Sequence, residues 1–167
     1  MIQRIQTIFL LLVAVFMGTY AVMPIWEKID RENNQAVVMS TFEIKYGNIE
    51  PDSQGIVFTE VKERTNIMYV AGIAVLSAVV ALFSLFSFKK RLTQLKLNAF
   101  NSLLMLASLI VPLLLVTDAK NLFNPEVPGT YYIISLLLPA GAVICNILAN
   151  IFIRKDEKLV RSVDRLR

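Results

Sequence analysis

Hydrophobic and polar positions alternate along this chain in long blocks. Four stretches run apolar and uncharged for about 20 residues each, near 5–25, 67–88, 97–117 and 131–153. That length of apolar helix is what a bilayer's hydrocarbon thickness demands. The pattern predicts an all-α membrane protein, an up-down transmembrane bundle of four helices. In the first stretch Pro24 is expected in the last turn, where a missing amide costs least. Trp26 is then expected at the membrane interface.

The block between the first two stretches, 27–66, reads differently. It opens polar with Glu27-Lys28-Ile29-Asp30-Arg31-Glu32-Asn33-Asn34. Residues 35–46 follow, rich in β-branched and aromatic side chains. Val38, Phe42, Ile44 and Tyr46 fall on one face of an extended chain, and Thr41, Glu43 and Lys45 on the other. Gly47-Asn48 and Pro51-Asp52-Ser53-Gln54-Gly55 are turn chemistry, and 56–62 supplies a second strand. The expectation is a small extracytoplasmic β-hairpin between helices 1 and 2. Two strands alone are marginal in water, so its apolar face must rest on this chain's helix ends, on lipid or on another protein.

The remaining connections are short. Asn121 to Thr130, with Pro125, Pro128 and Gly129, reads as a turn, and Tyr131 and Tyr132 as interface aromatics. Pro139 and Gly141 would bend the fourth helix. The tail, 154–167, places Leu159, Val160, Val163 and Leu166 at helical spacing on one face among cations. It reads as a basic amphipathic helix that continues from the membrane or turns away at it. The small residues Ala71, Ala74, Ser77, Ala78, Ala81 and Ser84 form a stripe along the second helix that permits close helix packing.

Charge orients this layout. Lys89, Lys90, Arg91 and Lys96 lie between the second and third stretches, and positive loops stay cytoplasmic. Both termini then lie inside, and the chain is one four-pass domain. On that topology the inner segments carry 11 Lys/Arg and 3 acids, and the outer segments 6 Lys/Arg and 10 acids. The resulting +8 inside and −4 outside agree with the overall +4. The basic pI therefore reflects helix ends at a bilayer, and nucleic acid is not expected as a partner.

Composition narrows the chemistry. Histidine is absent, which removes the usual neutral-pH proton shuttle and the commonest metal ligand. Cys145 is the sole cysteine, so no intrachain disulfide or paired-thiol redox site forms. None of the four stretches contains an ionisable Asp, Glu, Lys or Arg, the default mark of a proton or ion path. No nucleophile–base pair, phosphate loop or metal cluster appears. The expectation is a protein that is not an enzyme and has no catalytic, metal or cofactor-binding residues. Asp118 is the best-placed single acid for a lipid-acting enzyme, and a lone carboxylate by a loop is ordinarily only solvated.

The polar exception within the apolar stretches is a set of carboxamides. Asn98 and Asn101 share one helix face, and Asn146 and Asn150 share another. Both pairs fall at the same depth, near Gln3, Gln6 and Thr7. They are candidates for an interhelical clasp or for the lining of a polar pocket. The second candidate surface is basic: Lys89, Lys90, Arg91, Lys96, Arg154, Lys155, Lys158, Arg161, Arg165 and Arg167. It suits anionic headgroups or a protein partner.

The opening Met1-Ile2-Gln3-Arg4-Ile5-Gln6-Thr7-Ile8 and the closing Arg154-Lys155-Asp156-Glu157-Lys158-Leu159-Val160-Arg161-Ser162-Val163-Asp164-Arg165-Leu166-Arg167 add a resemblance. Over its full length the chain resembles a domain-of-unknown-function family of small four-pass membrane proteins found in Bacteroidetes. The resemblance implies the inner membrane of a two-membraned bacterium and brings no assigned activity. The functional expectation is an accessory, assembly or scaffolding subunit of a membrane complex. The alternative is a small channel or a lipid or solute carrier lined by the asparagines.

Overall fold

The structure, a computed structural model, describes residues 2–50, 56–88, 90–122 and 126–164, with side chains of these except at 2–4 and 160–164. The turn expected over 51–55, the cation Lys89, Pro125 and the tail residues Arg165, Leu166 and Arg167 lie outside the described residues. So do the side chains of Gln3, Arg4, Val160, Arg161 and Val163.

The described chain runs α1 (Ile2–Tyr20), β1 (Pro24–Asp30), β2 (Gln35–Ser40), β3 (Glu43–Ile49), β4 (Phe58–Asn66), α2 (Met68–Phe86), α3 (Arg91–Ala119), β5 (Gly129–Tyr131) and α4 (Ile133–Asp164). The strands form one five-stranded antiparallel sheet in the order β4-β3-β2-β1-β5. The fold is thus α+β, and the expected all-α bundle carrying only a hairpin is incorrect. The expected pairing of the chain near 43–49 with that near 58–66 is present, but as one edge of a larger sheet.

The missing strands have identifiable causes. α1 stops at Tyr20, and the apolar run Ala21 to Trp26 continues beyond it without any change of hydropathy. Pro24 opens β1 rather than closing the helix, since its ring forbids an interior amide bond but suits a strand's first residue. Trp26 is consequently not at an interface: its ring is completely buried where the sheet meets the helices. The polar opening of the loop is itself strand, with Asp30 and Gln35 closing the β1–β2 hairpin. Its loop ends on Asn34, at φ 51, in the left-handed region that asparagine tolerates.

A further break divides the expected strand over 35–46. Ser40, Thr41 and Phe42 make a tight turn without Gly or Pro. The Ser40 hydroxyl accepts from the amides of Phe42 (3.3 Å) and Glu43 (3.2 Å) and donates to the Glu43 carbonyl (3.1 Å). A hydroxyl can stand in for backbone turn bonding in this way. The turn resets the alternation, so Val37, Met39 and Ile44 face the core while Phe42 is 41% exposed.

The helices neighbour one another in the cycle α1–α2–α3–α4–α1. α2, α3 and α4 are built inside out by the standards of a water-soluble domain, whereas α1 buries Leu10, Val13 and Met17. α2 buries Val70, Ala71, Ala74, Ser77, Ala81 and Ser84 and exposes Leu76, Leu82, Phe83 and Phe86, the last at 72%. α3 buries Gln94, Asn98, Asn101, Met105 and Ser108 and exposes Phe100, Leu103, Ile110 and Leu114. Small and polar residues inside with large apolar ones outside is the arrangement that lipid rewards, and in water so large an apolar surface would aggregate. α2, α3 and the Ile133–Leu159 part of α4 are each long and apolar enough to cross a membrane. The apolar part of α1, Ile5–Tyr20, is shorter.

Sheet and helices share one core. Ile25, Trp26, Val37, Met39 and Ile44 from the sheet join Val13, Met17, Tyr20, Val70, Met105 and Val116 from the helices. Two hydrogen bonds fasten the junction: the Thr41 hydroxyl donates to the Ala21 carbonyl at 2.6 Å, and the Ile67 amide to the Phe42 carbonyl at 2.9 Å. The short β5 docks on β1, where a Cβ on Gly129 would lie 2.2 Å from the Trp26 ring. Only glycine lets strand and indole approach this closely. The connection expected to be a plain turn therefore completes the sheet.

α4 is continuous through Pro139, Gly141 and the tail to Asp164, so the tail extends the membrane-length helix. α3 likewise begins inside the basic connection, at Arg91.

Candidate functional site: a polar clasp and two charged ends

The buried polar cluster forms because its residues recur every three or four positions. On α3, Gln94, Asn98, Asn101 and Ser108 lie along the buried face with Met105. On α2 the same spacing brings Ser77 and Ser84 inward, and on α4 it brings Asn146 and Asn150.

Asn98 is the hub. Its Oδ1 accepts from the Ser84 hydroxyl, and its Nδ2 donates to Asn150 Oδ1 at 2.9 Å. Its backbone carbonyl accepts from Asn146 Nδ2 at 2.9 Å and from the Ser102 hydroxyl at 3.0 Å. Asn146 Nδ2 also reaches Ser102 Oγ at 2.8 Å. Asn101 faces α2 instead, accepting from the Ser77 hydroxyl at 2.7 Å. The structure thus joins Asn98, Asn146 and Asn150 directly and places Asn101 one turn further, in a separate bond. Asn98, Asn101 and Asn146 are fully buried, and Asn150 is half-buried.

The sequence reading missed the serine partners. Ser77 and Ser84 belong to the expected small-residue stripe, yet each hydroxyl donates to an asparagine carboxamide. The available signal was that both share the helical period of the buried face. Gln6 and Gln94 are buried as well, and Thr7 is exposed. Within the core, Gln6 Oε1, Gln94 Oε1, Asn101 Nδ2 and Asn146 Oδ1 have no hydrogen-bond partner among the described residues.

A second buried bond follows from Pro112. Proline has no amide to give the carbonyl four residues back, so the Ser108 carbonyl is freed inside α3. The Tyr20 hydroxyl, from the end of α1, donates to it at 2.8 Å.

At the tail end of the bundle the described basic residues play two different parts. Lys90, Lys96, Arg154, Lys155 and Lys158 are exposed, with the Lys155 ammonium 5.8 Å from the Phe152 ring centroid. Arg91 instead clamps α3 to α4: it pairs with Asp156 Oδ2 at 2.8 Å and donates to the Asp156 carbonyl at 3.1 Å. Leu159, on the expected apolar face of the tail helix, is 53% exposed. Cations around the start of α3 oppose its helix dipole, so they are not there for helix stability.

At the sheet end, Lys28 is 2% exposed and donates to the Lys120 carbonyl, at the C-terminus of α3, at 2.9 Å. Burial pushes its ammonium below the ordinary lysine value; Asp30 opposes this and the positive Lys120 adds to it. Asp30 sits under the β1–β2 loop. It accepts from the Asn33 side chain (2.8 Å) and from the Asn33 and Glu32 amides (3.1 Å each), which hold its carboxyl below the usual range. Lys45 on β3 and Arg64 on the adjacent β4 flank Glu43 and hold its carboxyl below the usual range. Glu43, Arg64, Phe42, Met68, Ser40 and Asn66 line an open groove of about 550 Å³ beside the start of α2.

Among the described residues no three His, Cys, Asp or Glu side chains gather as metal ligands. No curated protein matches the chain. A family model described as a domain of unknown function, DUF4293, matches residues 2–166. A chain matched over nearly its whole length, and carrying helices fit to cross a membrane, belongs to the DUF4293 family.

Proposed function

We propose that this protein is a non-enzymatic accessory, assembly or scaffolding subunit of a bacterial inner-membrane complex, with both termini cytoplasmic. The observation that carries the reading is the inward bonding of the asparagines to serines and to each other, in a core where three of the four are fully buried. Such a core holds helices in register and leaves the two ends to do the work. One end offers a five-stranded sheet with a long charged edge strand, β4. The other offers exposed cations on helices that run past the apolar span. These cations suit anionic headgroups, at up to about 1 kcal/mol each, or an acidic protein surface. Their cost against the α3 dipole supports a role at a membrane surface.

Crosslinking the tagged full chain in membranes, followed by mild-detergent purification, tests this. A defined protein partner recovered in stoichiometric amount is the expected result. A solitary species after crosslinking would overturn it.

One observation favours a second reading, a small channel or carrier. The unpartnered atoms of Gln6, Gln94, Asn101 and Asn146 offer polar sites along the bundle interior. Replacing Asn98, Asn101, Asn146 and Asn150 with leucine separates the two. A scaffold variant still captures its partner, whereas a carrier variant loses solute flux in proteoliposomes.

A further inference from the structure

β4 is the long edge of the sheet, and among the described residues no strand pairs with its outer side. Phe58 is half-buried, and every residue from Thr59 to Asn66 is exposed. An edge of this length is a template for another strand. Glu60, Lys62, Glu63 and Arg64, with a register shift that skips Lys62, guard it against unlike strands. The same charges admit one partner. We propose that a second copy of this chain pairs with β4 through its own β4, antiparallel and centred on Val61.

Three features lead there. The first is charge order. In a two-fold antiparallel pair the central residue meets its own copy, and residues equally far on either side meet each other. Centring on Glu60, Lys62, Glu63 or Arg64 therefore sets like charges directly opposite, which is destabilising. Centring on Thr59 or Thr65 forms no ion pair. Centring on Val61 sets Val61 against Val61 and Glu60 against Lys62 twice. Arg64 then meets Phe58, where a guanidinium can lie on the ring. Within their own chain Glu60 and Lys62 make loose contacts that this pairing can replace. Glu60 accepts from Asn48 at 3.4 Å, and the Lys62 ammonium is 5.7 Å from the Tyr46 ring centroid.

The second feature is the groove of about 550 Å³ at the end of β4. In this register the second copy's Phe58 and Ile56 fall opposite Arg64 and Asn66, two of its walls. The exposed Phe42 and Met68 supply apolar surface beside them. The third is height. β4 leads through Ile67 into α2, a helix of membrane length, so two copies in one membrane present β4 at the same depth.

The test uses the full chain in phosphatidylethanolamine–phosphatidylglycerol vesicles. Energy transfer between donor- and acceptor-labelled copies is followed against the protein-to-lipid ratio, and a saturable rise is expected. Glu60→Lys and Lys62→Glu each turn two ion pairs into like-charge pairs, so each should weaken association about tenfold. The double variant Glu60→Lys/Lys62→Glu should restore it. Both positions are exposed, and emission from Trp26, the sole tryptophan, checks that the fold is kept. A second measurement is mild oxidation in a Cys145→Ala background. Val61→Cys should give a covalent dimer. Glu63→Cys, whose two copies stand four strand positions apart, should give several-fold less. No saturable energy transfer, single variants that associate normally, a double variant that stays weak, or equal crosslinking at both cysteines would each overturn the proposal.

Discussion

Replacing Asn98 with leucine removes the hub of the polar clasp with little change in side-chain bulk. Two side-chain bonds go: the one from Ser84 and the one to Asn150. The two bonds to the Asn98 carbonyl remain, because leucine keeps the backbone. Interhelical bonds in a membrane are worth about 0.6 kcal/mol on average, and about 1.7 at most. Asn98→Leu should therefore destabilise by about 1.2 kcal/mol, rising towards 2 if the stranded Ser84 hydroxyl finds no substitute. A substitute is at hand in the carbonyl of Val80, one turn back, which serine hydroxyls commonly adopt. Asn150 is half-buried and can turn towards the bundle surface. The assay is unfolding in mixed micelles by sodium dodecyl sulfate, followed by Trp26 emission, on a cycle of Ser84→Ala, Asn98→Leu and the double variant. The expected coupling is about 0.6 kcal/mol. Coupling within about 0.3 kcal/mol of zero, or a stabilised Asn98→Leu, would refute the view that these amides hold the helices together.

Tyr20→Phe should cost about 1 kcal/mol, and less in a Pro112→Ala background, where residue 112 regains an amide for the Ser108 carbonyl. The same unfolding assay reads that difference. Gly129→Ala forces a methyl into the Trp26 ring, so β5 must shift. About 1–3 kcal/mol should be lost, with altered Trp26 emission. Arg91→Ala breaks a largely buried ion pair and the bond to the Asp156 carbonyl, and should cost about 1–3 kcal/mol, read in the same unfolding assay. Asp30 has a depressed folded-state pKa, so its contribution is complete above its unfolded value and is lost as pH falls through the folded one. Asp30→Asn should flatten the acid limb of the stability curve, as pH-dependent melting would show.

Three helices were legible in the sequence because lipid imposes a length and composition that no neighbour can alter. The inward facing of Asn98, Asn101, Asn146 and Asn150 was legible for a related reason: helical spacing is local geometry. Their serine partners were less so. A serine among alanines reads as packing until the facing helix is in place.

The sheet was the larger omission. Residues 21–26 are apolar throughout, so nothing in their periodicity separates a helix end from a strand start. The turn at Ser40-Thr41-Phe42 carries no Gly or Pro, and its bonding comes from one hydroxyl. β5 is three residues long and pairs with a strand about a hundred positions earlier, so no local window contains both. The chain alone therefore determined which segments prefer hydrocarbon and which helix faces are polar, since both depend on residues close in sequence. Tertiary structure decided where α1 ends, that Trp26 is sealed against Gly129, and that Lys28 meets the Lys120 carbonyl. Each of these depends on distant segments meeting, and strand pairing is a bond between partners that local sequence does not name.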